Sequence, residues 1–158
     1  GGTHALWEPF SIHGTQQVTV EDPWEVDLTY VPLARREGFR CLAVDLWVEG
    51  GERRDDLTFF PAELRLEDGT ALLAEDDASL ARQLKELGLL SSLDYDTLVT
   101  LSDAQWEDPL YGQMIFFVPE DASGGAVLAL YEGEPDSSTP SAVHQIPLEL
   151  PWGAVGTV

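Results

Sequence analysis

Apolar and polar residues alternate with a period of two along most of this chain, the spacing of strands with one buried and one wetted face. The longest such stretch is 38–51. Leu42, Val44, Leu46 and Val48 fall on one face, and Cys41, Ala43, Asp45, Trp47 and Glu49 on the other. The first face is core. The second carries an acid among small and aromatic residues, so it faces solvent or a partly covering segment. Upstream, 11–20 offers Ile12, Val18 and Val20, split by His13-Gly14, and predicts two short edge strands. In 25–32, Val26, Leu28 and Tyr30 alternate with Glu25, Asp27 and Thr29, which predicts a half-buried antiparallel strand. Downstream, Leu64 and Leu66 alternate with Glu63, Arg65 and Glu67. Asp68-Gly69 then supplies residues that tolerate positive φ, so a two-residue hairpin turn and a return strand at 70–74 are expected.

One segment departs from this period. Leu80, Leu84 and Leu87 stand at i, i+4 and i+7, Asp76 or Asp77 can cap the N-terminus, and Gly88 is placed to end a helix over 76–88. The near-continuous apolar run 110–119 predicts a strand buried on both faces. Strands follow at 126–132 and 143–150. Eight or nine strands with one helix define an all-β fold, an antiparallel β-sandwich with one inserted helix, because an α/β scheme would need strands alternating with helices. The sandwich is expected over 15–150, with an N-terminal edge segment at 1–14 and a flexible tail at 151–158 on which Trp152 could dock.

Charge narrows the class of partner. The 158 residues carry 29 acidic and 8 basic side chains, a formal net charge of -21. That field repels phosphate backbones and anionic membrane surfaces, so nucleic acid is excluded as a partner, while divalent cations, cationic partners and a salt-rich medium are favoured. No run reaches the roughly 18 apolar residues of a membrane span. Cys41 is the single cysteine, so there is no intrachain disulfide, and its place in a strand makes it a buried structural thiol. The chain opens Gly1-Gly2 with no Met, from which a removed leader is expected.

Two blocks of sequence carry a resemblance. The first is Gly38-Phe39-Arg40-Cys41-Leu42-Ala43-Val44-Asp45-Leu46-Trp47-Val48, followed by Leu64-Arg65-Leu66-Glu67-Asp68-Gly69-Thr70. The second is Gly112-Gln113-Met114-Ile115-Phe116-Phe117-Val118-Pro119, followed by strands ending in Ile146 to Leu150. Together they resemble the immunoglobulin-like domain of unknown function found in bacterial secreted proteins and envelope lipoproteins, the group that includes a mycobacterial secreted immunoprotective antigen. The resemblance covers roughly 15–150 and encodes a sandwich, not a site. It departs at Gly50-Gly51, where members usually place Asn, and in the length of the segment 77–88. It implies an extracellular or cell-envelope domain without assigned catalytic residues, a lipid anchor upstream, and an unidentified protein or cell-surface ligand.

Candidate chemistry is sparse. Asp94, Asp96, Asp103, Glu107 and Asp108 are the best candidate metal ligands, since calcium takes six to eight oxygens and tolerates irregular loops. The Asp-x-Asp pair lacks the Gly and Glu of an EF-hand, and chance clustering is expected in so acidic a chain. Glu75-Asp76-Asp77 reads as a helix N-terminus. His4, His13 and His144 are far apart and share no metal spacing, and no serine sits in a Gly-x-Ser-x-Gly elbow. Asp45 and Trp47, neighbours on one strand face, form the candidate binding surface. Five tryptophans allow an aromatic platform if several are exposed. The expected function is a non-enzymatic binding module; a calcium-stabilised acidic domain is the alternative, and a hydrolase using paired carboxylates a distant third.

Overall fold

The computed structural model describes residues 1–12, 16–29, 31, 34–50, 62–75, 80, 83, 84, 86, 110–133 and 138–153. Among these described residues, ten strands run β1 (Gly2–Thr3), β2 (Phe10–Ile12), β3 (Gln16–Val20), β4 (Trp24–Val26), β5 (Phe39–Glu49), β6 (Glu63–Leu66), β7 (Ala71–Leu73), β8 (Leu110–Pro119), β9 (Gly125–Gly133) and β10 (Pro140–Glu149). They form two sheets. One has the order β1-β10-β9-β6-β7; in the other, β8 lies on one flank of β5, and β3 and β4 share the opposite flank, with β2 outside β3. Every pairing is antiparallel except β1 with β10. The protein is all-β, as its alternation predicts.

The main core lies between the sheets. Leu42, Val44, Leu46 and Val48 of β5 and Met114, Phe116 and Val118 of β8 meet Leu64, Leu128, Leu130, Ile146 and Leu148 from the other sheet. Each fully buried side chain of this kind stabilises the fold by about 1.5–3 kcal/mol, so the β5–β8 pair is its principal anchor. The reverse face of the pair is covered as well: Cys41, Ala43, Ile115 and Phe117 pack with Val26, Leu28, Val31, Ala34, Leu80 and Leu84. Residues 113–118 of β8 are therefore all buried, as its apolar run requires.

A bulge explains how one flanking strand serves both cores. Val20 lies opposite Leu46 and Trp24 opposite Ala43, so four residues on the β3–β4 side span three on β5. The extra residue reverses which side chains face which way. Val18 and Val20 enter the inter-sheet core, whereas Val26 enters the second cluster.

Several sequence expectations shift. β3 is paired on both sides and is not an edge strand. The strand expected over 25–32 ends at Val26, because the Asp27 carboxylate accepts the Thr29 backbone N–H (2.9 Å) and hydroxyl (2.5 Å) and turns the chain out of the ladder. The β6–β7 connection uses three residues, Glu67, Asp68 and Gly69, where a two-residue turn was expected. Gly69 takes the left-handed position at φ 91°, its N–H donates to the Leu66 carbonyl, and the Leu66 N–H donates to Thr70. Most of 76–88 lies outside the described residues, and no helix is defined there. Leu80, Gln83, Leu84 and Glu86, the described part, have helical backbone. Trp152 is buried in the main core, and its indole N–H donates to the Ala122 carbonyl at 2.7 Å.

Candidate functional site

The five acids Asp94, Asp96, Asp103, Glu107 and Asp108 lie outside the described residues, as does His13. Among the described residues no three His, Cys, Asp or Glu side chains are grouped so as to hold a metal ion. Asp45 and Trp47 sit on the outward face of β5, both half-buried. Asp45 is occupied internally: its carboxylate accepts the Trp24 indole N–H (3.1 and 3.2 Å) and the Gln113 amide N–H (2.7 Å). Glu21 lies beside it, donating its backbone N–H to the Asp45 carbonyl. Partial burial, and then the charges of Asp45 and Asp22, raise the Glu21 carboxyl above the ordinary carboxylate value. Burial pushes the Cys41 thiol up to about 12, which leaves it a neutral core group.

A broad groove of about 870 Å³ runs past Glu25, Asp27, Arg35, Arg36, Phe39 and Arg40. Its cations are largely committed to the fold. Arg40 makes a two-pronged pair with Glu25 (2.5 and 2.8 Å) and lies 4.6 Å from the Trp152 ring centre. Arg36 makes another with Glu75 (2.8 and 3.0 Å) and covers Phe117 at 3.9 Å. These arginines act as clamps at one end of the β5–β8 pair, Arg40 over Trp152 of the main core and Arg36 over Phe117 of the second cluster.

The N-terminal segment builds a different surface. The Glu8 N–H donates to the Ala5 carbonyl, closing a turn whose third residue is Trp7 at φ 68°. That is the position a type II turn assigns to glycine, and a bulky side chain there is strained. Two bonds hold it: the Trp7 backbone N–H donates to the Val20 carbonyl at 2.7 Å, and its indole N–H donates to Asp22 at 3.0 Å. The indole nonetheless remains 53% exposed, the one tryptophan among the described residues that does. Near it, Leu6, Pro23, Pro147, Leu148, Leu150 and Pro151 line a pocket of about 420 Å³, to which Asp22 and Glu149 add, among the described residues, the charged groups. The aromatic platform that the composition allowed reduces, among the described residues, to this single exposed ring, tied through Asp22 to an apolar pocket with an acidic rim.

Two histidines 140 residues apart also meet. The imidazoles of His4 and His144 are joined at 3.0 Å between Nε2 and Nδ1, and His144 Nε2 lies 2.5 Å from Glu132. His4 stacks on Phe10 with ring centres 4.1 Å apart. Sequence spacing held no signal for this meeting, because the parallel β1–β10 pairing that creates it puts Gly2 opposite His144. Trp7 was equally hidden, since nothing in the order Ala5-Leu6-Trp7-Glu8 marks a glycine-type turn position.

No family model matches the chain, and neither a curated protein nor a solved structure matches it.

Proposed function

We propose that this chain is an immunoglobulin-like sandwich of the exported or cell-envelope kind, a non-catalytic module that binds basic polypeptide at Trp7 and the adjoining pocket. Strand connectivity supports the fold reading. With β3–β4, β5, β6, β8, β9 and β10 taken as strands A, B, C, E, F and G, one sheet reads A-B-E and the other G-F-C. β7 extends the second sheet beyond C. The helical residues Leu80, Gln83, Leu84 and Glu86 fall between β7 and β8, where strand D or an insertion belongs. The compartment rests on the resemblance described above.

The observation that carries the binding reading is Trp7. An exposed indole held in a strained left-handed turn by two dedicated hydrogen bonds contributes little to the core, and such strain accumulates at sites of function. Its exposed ring offers a π face for a cation, and the pocket near it has, among the described residues, apolar walls with carboxylates and no basic residue in its lining. The protein's net charge of -21 draws a basic chain toward it. Neither Glu21 nor Asp45 lines this pocket or the groove, and the Cys41 thiol is held neutral, which supports recognition over catalysis.

The test is calorimetric titration with a short lysine-proline peptide and with its glutamate-proline counterpart. The basic peptide binds, and more weakly as salt rises. Trp7→Gly lowers its affinity about 2- to 30-fold, the range of a cation–π contact of about 0.5–2 kcal/mol. Equal binding of the acidic peptide, or full retention by Trp7→Gly, would overturn the reading.

A further inference from the structure

The Glu132–His144–His4 chain has a definite proton arrangement. An ionised carboxylate only accepts, so His144 Nε2–H donates to Glu132; His144 Nδ1 is then an acceptor, and His4 Nε2–H donates to it. His144 is 2% exposed and belongs to β10, whereas His4 directly follows β1 and stacks on Phe10 of β2. The three rings therefore bridge an edge of one sheet to an edge of the other. One further proton fits: placed on the other nitrogen of His4, it leaves the His4–His144 bond intact. A second does not. It must go to His144 Nδ1, where two N–H groups on two cations would face each other at bonding distance.

We propose that this chain is an acid-opened latch, which holds the N-terminal segment against both sheets until both imidazoles are protonated and then releases it. Several charged groups face His4: His144 with Glu132 behind it, Glu8 from the connection to β2, and the amino group of Gly1. Burial and then the His144 charge lower the His4 value, with Glu8 opposing them, so native His4 resists charging, and the imidazole–imidazole bond is lost only when a second proton is forced onto the pair. Leu6 and Trp7 lie on the same segment, between His4 and Phe10. Release would take the pocket wall and the exposed indole with it. That consequence rests on the binding reading above; the latch itself does not.

Backbone hydrogen exchange on the unliganded protein tests the latch alone. The His4 N–H, bonded to the Gln145 carbonyl, reports the segment, and Leu128 in the main core reports the global fold. After correction for intrinsic rates, His4 protection falls about tenfold or more relative to Leu128 between about pH 7.5 and pH 5. His4→Phe, which keeps a ring on Phe10 and removes the titration, abolishes the step. A flat wild-type profile, or a step that persists in His4→Phe, would overturn the latch. If that variant does not fold, nitrogen-15 shifts of the wild-type imidazoles decide: His144 protonated on Nε2 at neutral pH supports the latch, and protonation on Nδ1 refutes it.

Discussion

Asp45 on β5 lies directly opposite Gln113 on β8, and the Gln113 amide donates to the Asp45 carboxylate at 2.7 Å across the rung. Gln113 is 1% exposed, and the Trp24 indole shares the same carboxylate. Asp45→Ala strips a buried amide and an indole of their common acceptor. The expected loss is about 2–3 kcal/mol of unfolding free energy, since bonds to charged acceptors exceed neutral ones and orphaned buried donors are costly. Urea denaturation measures it; a change within about 0.5 kcal/mol would show that Asp45 is a surface residue.

Trp7 offers a separation of stability from recognition. In Trp7→Ala the exposed indole is lost and the left-handed strain stays; in Trp7→Gly both go. Glycine at this turn position should therefore be the more stable variant by about 1 kcal/mol, despite its usual entropic cost. Paired thermal melts decide, and alanine equal to or above glycine would contradict the strained-turn assignment.

How far the sequence revealed this molecule depends on the range of the interaction. Period-two alternation is local, so β5, β6, β8 and β9 were legible, and the unbroken apolar run at β8 signalled burial on both faces. The bulge between Val20 and Trp24 was not, because it exists only relative to the register of β5. The early end of β4 follows from Asp27 turning back on Thr29, a competition between side chain and ladder that alternation does not register. Asp45 and Trp47 stood out by their shared face, yet the commitment of Asp45 to Trp24 and Gln113 depends on partners 21 and 68 residues away. The His4–His144 pair is more remote still.

Cys41 serves as a silent reporter of unfolding. Its thiol is 3% exposed and pushed up to about 12 by burial, so the nucleophilic thiolate is scarce in the native state at neutral pH. Alkylation of the folded protein should be slow and should accelerate with denaturant in step with loss of structure. Rapid native labelling, comparable to a free thiol, would mean that the second apolar cluster opens independently of the rest.

Glu21 provides the clearest pH dependence. Its native carboxyl sits above the ordinary value of 4.5, raised first by partial burial and then by Asp45 and Asp22. The native state therefore binds this proton more tightly than the unfolded chain. Protonation favours folding, a contribution fully present below 4.5 and lost as pH rises through the native value. At neutral pH the ionised Glu21 opposes the fold. Glu21→Gln mimics the protonated group, so it should raise the melting temperature at about pH 7 and give no advantage at about pH 4, where wild-type Glu21 is already neutral. Melting curves of both proteins across that range test the sign directly. A variant less stable at neutral pH, or a gain that grows on acidification, would place Glu21 among the residues whose negative charge the fold requires.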